Sequence, residues 1–144
     1  MILIDTSVLG RLAQFKSPLH TVALKAVHRL IRERRRMFIA PQSIYEFWVV
    51  ATRPVNVNGF GWPAQRAAEW INYFEGSFEL LADVPNIYSL WRQLVENYNS
   101  CGKPAHDARL VAIMNVYALR EILTFNGGDF VRYGVTVLQP KNLQ

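Results

Sequence analysis

Four acidic residues in separate parts of the chain are the side chains best suited to do chemistry. Asp5 follows the apolar run MILI, Glu46 lies within QSIYEFW, Asp107 follows GKPAH, and Asp129 follows NGG. Each has an ordinary structural explanation when it is considered singly. Asp5 and Asp107 suit helix starts, Asp129 suits a turn, and Glu46 forms a capping-box pattern with Ser43. No single acid therefore demands a function.

Together, the four carboxylates predict a cation site. Strand ends and helix starts meet at one edge of an α/β sheet, so we expect these side chains to converge. Converging carboxylates repel one another unless a cation neutralises them or some stay protonated. Oxygen ligands without Cys or His favour Mg²⁺ or Mn²⁺ over Zn²⁺. Such an ion could activate a water and stabilise the charge that builds on a phosphodiester.

The charge balance is compatible with a polyanionic substrate. The chain carries 16 Lys and Arg against 11 Asp and Glu, a net charge of +5. Without the four acids above, the remainder carries +9, which describes an acidic site on a basic body. The densest basic run is RLIRERRR, from Arg29 to Arg36. It is either the solvated end of a helix or a phosphate-contacting patch.

The apolar pattern predicts the elements that must position these acids. We expect strands over 1–5, 37–41, 78–83, 121–125 and 135–140, helices over 19–34, 42–53, 64–75, 87–98 and 106–119, and a loop over 54–63. Apolar strands alternating with helices indicate an α/β fold with a mainly parallel sheet. The crevice of such a sheet lies beyond its carboxyl strand ends, where Asp5 and the turn with Asn126 and Asp129 fall.

The length and composition favour one compact domain over residues 1–144. No apolar run approaches the roughly 20 residues that cross a bilayer, and no basic leader precedes the first apolar run. The single cysteine, Cys101, allows no internal disulfide and suits a reducing compartment. The cytoplasm is the expected location.

Four segments resemble, in order and spacing, the motif blocks of PIN domains. They are MILIDTSVL, SIYEFW, AHDARLVAI and LTFNGGDF, and they span essentially the whole chain. The likeness is greatest to the VapC-type toxins of toxin–antitoxin pairs. The resemblance implies a three-layer α/β/α fold and Mg²⁺- or Mn²⁺-dependent cleavage of RNA. It also implies products with 5′-phosphate and 3′-hydroxyl ends.

The resemblance also implies roles for particular residues. The metal-binding acids of the family correspond to Asp5, Glu46 and Asp107. Asn126 stands where many members have a fourth acid, and Asp129 matches an acid found three residues further on in others, so both remain candidates. Two hydroxyl residues match auxiliary positions of the family. They are Ser7, beside the first acid, and Thr124, which supports the site by hydrogen bonding.

Substrate and partners follow from the same resemblance. Lys103 and Arg109 are candidates to hold the RNA backbone near the crevice. Toxins of this kind dimerise and are silenced by an antitoxin whose C-terminal segment lies in a groove near the site. Four aromatic residues either line such a partner groove or belong to the core. They are Trp48, Phe60, Trp62 and Trp70.

Three alternatives remain. A haloacid-dehalogenase-like phosphatase also places an Asp at the end of its first strand. That class has the pattern D-x-D at this point and a lysine shortly before a late acidic pair. This chain has Ser7 in place of the second Asp, and the segment LTFNGGDF does not supply such a lysine. A nucleic-acid-binding module could retain the acids as caps only. A PIN nuclease could also act in RNA processing or DNA binding without being a toxin.

Overall fold

The computed structural model describes all 144 residues, and its centre is a five-stranded parallel sheet. The strands are β1 (Ile2–Ile4), β2 (Met37–Ile39), β3 (Glu79–Leu80), β4 (Glu121–Leu123) and β5 (Thr136–Leu138). Their spatial order is β3-β2-β1-β4-β5, and every neighbouring pair is parallel. All five predicted strands exist, although each is shorter than its apolar run. The predicted α/β class with a parallel sheet is confirmed.

Helices cover both faces of the sheet and complete the predicted three layers. They are α1 (Thr6–Ala13), α2 (Pro18–Arg32), α3 (Pro41–Thr52), α4 (Ala64–Ser77), α5 (Asn86–Asn97) and α6 (Pro104–Val116). Alternate side chains of a strand point to opposite faces. Accordingly, Ile2 and Ile4 pack in the core under α1 to α4, while Leu3 packs in the core under α5 and α6. None of the helices combines the length and the apolar character needed to cross a membrane.

Helix α1 is not among the helices that the apolar pattern predicts, although Asp5 suits the start of a helix at this position. Its eight residues include Gly10, which weakens the helical signal. The helix is stabilised instead by the Asp5 cap and by burial of Val8, Leu9 and Leu12 against the sheet. Tertiary packing therefore decides this element, as it does for most short helices.

The capping-box explanation of Glu46 is wrong. Helix α3 begins at Pro41, with Ala40 at the N-cap and no side-chain capping bond. Proline suits the first helical position because it has no N–H to satisfy and its φ is fixed near the helical value. The helix therefore starts before Ser43, whose hydroxyl is buried and has no hydrogen-bond partner. The Glu46 carboxylate is free for other contacts.

The loop between α3 and α4 and the helix α4 bring three of the four aromatic residues against the core, Phe60 and Trp62 from the loop and Trp70 from α4. The loop contains one turn of 3₁₀-helix at Val55–Val57, and Phe60 and Trp62 donate backbone hydrogen bonds to α3. Phe60, Trp62 and Trp70 are partly buried against the first core, as the core alternative predicts. Trp48 differs, since 37% of its surface is exposed.

The arginine run lies at the edge of the sheet opposite Asp5. Helix α2 ends at Arg32, and the following arginines precede the start of β2. Arg35 pairs with Glu121 at the start of β4, and Arg36 pairs with Glu79 at the start of β3. Ion pairing at the amino ends of the strands gives these two arginines a structural role.

Candidate active site

Asp5 lies at the carboxyl end of the central strand and serves as the N-cap of α1. Its backbone N–H donates to the carbonyl oxygen of Leu123 at 3.0 Å, which fixes it against β4. Only 6% of the residue is exposed. Its Oδ2 accepts hydrogen bonds from Ser7 Oγ at 2.6 Å and from Thr124 Oγ1 at 2.7 Å, whereas Oδ1 accepts none from the protein. Capping therefore occupies one carboxylate oxygen and leaves the other free for a ligand.

Burial is the main influence on the Asp5 carboxyl. It raises the pKa of Asp5, because a low-dielectric surrounding disfavours the charged form. The hydrogen bonds from Ser7 and Thr124 oppose this rise, since they stabilise the carboxylate, and nearby Glu46 adds to it. A buried carboxylate with a raised pKa and one free oxygen is a group that a cation would stabilise.

Ser7 and Thr124 connect this carboxylate to the loop after β4. Their hydroxyl oxygens lie 3.3 Å apart, and each also accepts a backbone N–H from that loop. Phe125 donates to Ser7 Oγ at 3.1 Å, and Asn126 donates to Thr124 Oγ1 at 2.9 Å. The two hydroxyls thus fix the start of the turn that carries Asn126 and Asp129.

Glu46 projects from the second turn of α3 and is held through both carboxylate oxygens. Thr6 Oγ1 donates to Oε2 at 2.8 Å, and Gln42 Nε2 donates to Oε1 at 2.9 Å. Sequence reasoning did not single out Thr6 or Gln42. The i, i+4 spacing of Gln42 and Glu46 on one helix was the signal that could have identified the second of them.

Asp107 lies in the first turn of α6 and is half-buried. Burial raises its pKa to about 6, and the neighbouring carboxylate of Asp129 is the second cause. The charges of Asp5 and Glu46 raise it further, while Lys103 lowers it. The four predicted acids therefore act on one another electrostatically, although they lie on four separate segments.

The turn after β4 places Asp129 and Asn126 differently. Asp129 lies in a 3₁₀ turn at Gly127–Asp129, and it is the carboxylate with the largest effect on Asp107. Asn126 is exposed immediately before that turn, and its backbone N–H reaches Thr124. A Cβ at Gly127 would lie 2.7 Å from Val137 Cγ1, so close packing on β5 requires glycine there.

The two predicted substrate-binding cations have different surroundings. Lys103 is exposed at the N-cap of α6, close enough for its charge to lower the pKa of Asp107. Arg109 is engaged by the protein through both terminal nitrogens. Nη1 donates to Gln42 Oε1 at 3.2 Å, and Nη2 pairs with Asp83 Oδ1 at 3.1 Å.

The donor set suits a hard divalent cation, because it consists of carboxylates and neighbouring hydroxyls. No three acidic, His or Cys side chains are grouped closely enough to hold one ion as they stand. Ligation of one ion by three of these carboxylates therefore requires side-chain movement. A bound cation would accept the free oxygen of Asp5 as a ligand. It would also stabilise the ionised form of Asp107 and so lower the raised pKa of that carboxyl.

The fold of the chain is similar to that of several known proteins. Three solved structures share the fold at low identity. VapC20 of Mycobacterium tuberculosis, a toxin that cleaves the sarcin-ricin loop, has a TM-score of 0.71 at 15% identity over 94% of this chain and 97% of that one. FitAcB of Neisseria gonorrhoeae gives 0.64 at 18%, over 97% of this chain and 98% of that one. VapBC2 of Rickettsia felis, bound to a DNA fragment from its promoter, gives 0.67 at 12%, over 96% and 98%.

A search of curated proteins finds no match. The family model of the PIN domain, by contrast, matches residues 2–135, which include all four sequence segments except Met1 and every carboxylate described above. The chain therefore belongs to the PIN domain family.

Proposed function

We propose that the protein is a Mg²⁺- or Mn²⁺-dependent endoribonuclease and the toxin of a toxin–antitoxin pair. The observation that carries the proposal is the convergence of four carboxylates from β1, α3, α6 and the turn after β4. Burial raises the pKa of Asp107 to about 6, and the charges of the other three carboxylates add to this rise. A metal-free site of this kind is electrostatically unfavourable, and a divalent cation removes the repulsion. Family membership supports the nuclease activity.

The metal ligands of the proposed site are Asp5, Glu46, Asp107 and Asp129. The electrostatic proximity of Asp129 to Asp107 supports Asp129 as the fourth acid, with Asn126 as an adjacent polar contact. When bound, the cation supplies an activated water and stabilises the charge on the phosphodiester. Ser7 and Thr124 orient Asp5 so that its Oδ1 faces away from the hydrogen-bonded side.

Lys103 is the proposed contact to the RNA backbone. It is exposed, and its charge acts on Asp107, so a phosphate beside the acids would lie within its reach. Such contacts position the RNA without reading its base sequence. Arg109 is a weaker candidate for this role, because Gln42 and Asp83 already engage its guanidinium.

Two surfaces support the proposed protein partners, an antitoxin and a second copy of the chain. An open cavity of about 530 Å³ beside α1 is lined by Phe15, Phe60 and Trp62, together with Lys16 and Arg66, and suits an apolar segment with acidic residues. The structural neighbours include a toxin, VapC20, and the protein VapBC2 bound to DNA from its promoter, and this supports an antitoxin partner. On the outer face of α3, three exposed residues form an apolar strip that a second copy could cover. They are Tyr45, Trp48 and Val49.

The phosphatase alternative loses support from the position of Ser7. Ser7 stands at the position where that class has its second acid, and its hydroxyl donates to Asp5 and accepts from the backbone N–H of Phe125. A nucleophilic Asp with an adjacent acid is what that chemistry would need.

RNA cleavage by variants tests the proposal. Purified protein is incubated with single-stranded RNA and with a sarcin-ricin-loop hairpin, in Mg²⁺, in Mn²⁺ and in chelator. Wild type should cleave in metal only, while Asp5→Ala and Asp107→Asn should be inactive although folded. Cleavage by both variants at the wild-type rate would contradict the site. Expression of such a toxin should arrest cell growth. Restored growth on co-expression with a small protein encoded beside it would identify the antitoxin.

A further inference from the structure

The side-chain amide of Gln42 is the buried polar group that joins the two helices of the site. Only 6% of the residue is exposed. Its Nε2 donates to Glu46 Oε1 at 2.9 Å and to the carbonyl oxygen of His106 at 2.8 Å. Its Oε1 accepts from Arg109 Nη1 at 3.2 Å. Both donor hydrogens and the carbonyl oxygen are therefore in use, which fixes the orientation of the amide.

This arrangement determines the relative positions of two acids on different helices. Glu46 lies one turn after Gln42 on α3, and His106 immediately precedes Asp107 in the first turn of α6. One amide nitrogen thus holds the carboxylate of Glu46 and the backbone beside Asp107 at the same time. Thr6 holds the other oxygen of Glu46, so this carboxylate cannot rotate without breaking a hydrogen bond.

Arg109 in turn fixes the amide. It lies one half-turn after Asp107 on α6, and its guanidinium bridges Gln42 and Asp83, which follows β3. The guanidinium of an arginine only donates hydrogen bonds. The amide therefore cannot flip, because Nε2 would then face Arg109 donor to donor. If the amide flipped, Glu46 and His106 would each lose their donor.

We propose that Gln42 is a positioning residue that sets the spacing of Glu46 and Asp107 for a divalent cation, and that Arg109 acts through it. The inference rests on the proposed function, since it concerns the same carboxylates. It assigns Arg109 to the support of the site rather than to an RNA phosphate. Groups that orient metal ligands commonly change metal affinity or activity by about 10–100-fold when they are removed.

The principal variant is Gln42→Met, which keeps the length and volume of the side chain but has no amide. Gln93→Met is the matched control, because Gln93 is exposed on α5. Mn²⁺ affinity is measured by calorimetry on the whole protein, and kcat and KM are measured for one RNA. Gln42→Met should weaken Mn²⁺ binding and lower kcat, each by about 10–100-fold, with KM within about twofold of wild type. Gln93→Met should match wild type in all three.

Arg109→Met distinguishes a positioning role of the arginine from a contact to an RNA phosphate. It tests the proposal even if Gln42→Met does not fold. A positioning role predicts weaker Mn²⁺ binding and lower kcat, with an unchanged salt dependence of RNA binding. A phosphate contact predicts a higher KM and a salt slope that is smaller by about 1, with unchanged Mn²⁺ binding. The second pattern would overturn the proposal, as would wild-type Mn²⁺ affinity in Gln42→Met.

The acid variants separate this inference from the proposed function. If Asp5→Ala and Asp107→Asn are inactive while Gln42→Met binds Mn²⁺ normally, only the role of Gln42 is wrong. If both acid variants cleave RNA at the wild-type rate, the proposed function fails first.

Discussion

Thr124 Oγ1 donates a 2.7 Å hydrogen bond to Oδ2 of Asp5 across 119 positions of sequence. The bond joins the carboxyl ends of β1 and β4, the two central neighbours of the sheet. Thr124 is fully buried, and Asp5 nearly so. A buried carboxylate that loses a donor keeps its desolvation penalty, so this contact matters to both stability and function.

Thr124→Val should therefore destabilise the protein by about 1–3 kcal/mol, because valine keeps the shape but removes a donor to a charged group. Urea unfolding at pH 7.5 measures the effect. The control is Thr136→Val, the same change at an exposed position of β5. Equal stability losses in the two variants would show that the Asp5 contact contributes nothing.

Asp107→Asn should stabilise the metal-free protein at neutral pH. The pKa of Asp107 is raised from 3.8 to about 6, so the folded state disfavours its ionised form. This penalty is full above pH 6 and disappears as the pH falls toward 3.8. The variant should gain about 1 kcal/mol at pH 7.5, a value reduced for solvent screening of a half-exposed group.

Urea unfolding in chelator measures this gain at pH 7.5 and pH 4. The difference from wild type should shrink toward zero at the lower pH. A variant that is less stable than wild type at pH 7.5 would show that Asp107 is not under electrostatic strain.

Metal binding should depend on pH through the same group. Protons compete with a cation for Asp107, whose pKa is about 6, so Mn²⁺ affinity should fall by about tenfold between pH 7 and pH 5. Calorimetric titration at the two pH values measures this. In Asp107→Asn the residual affinity should change less. A constant wild-type affinity over the range would exclude Asp107 as a ligand.

Gly127→Ala should reduce stability and cleavage together. The new Cβ would lie 2.7 Å from Val137 Cγ1, and relief of that clash moves the turn that carries Asp129. Overpacking of this kind costs about 1–3 kcal/mol. Gly128→Ala is the matched control, since a Cβ there meets nothing within 4 Å. Thermal unfolding and RNA cleavage measure both variants, and similar behaviour of the two would contradict the account.

The sequence predicted the strands and the edge of the sheet that carries the candidate acids. Apolar runs give the strands, and the rule of parallel strand ends places Asp5 and the turn with Asp129 at the same edge. It failed where tertiary contacts decide. Helix α1 depends on burial, and the start of α3 depends on Pro41 rather than on Ser43. The contacts of Thr6 with Glu46 and of Gln42 with His106 were not accessible, because these partners lie 40 and 64 residues apart.

The central claim is tested most directly by the ends of the RNA products. An internally labelled RNA is incubated with the protein in chelator, and excess Mn²⁺ is then added, with Asp107→Asn treated in parallel. The account predicts no cleavage before Mn²⁺, and afterwards products with 5′-phosphate and 3′-hydroxyl ends from wild type only. Cleavage in chelator, or products with 5′-hydroxyl and cyclic phosphate ends, would contradict it.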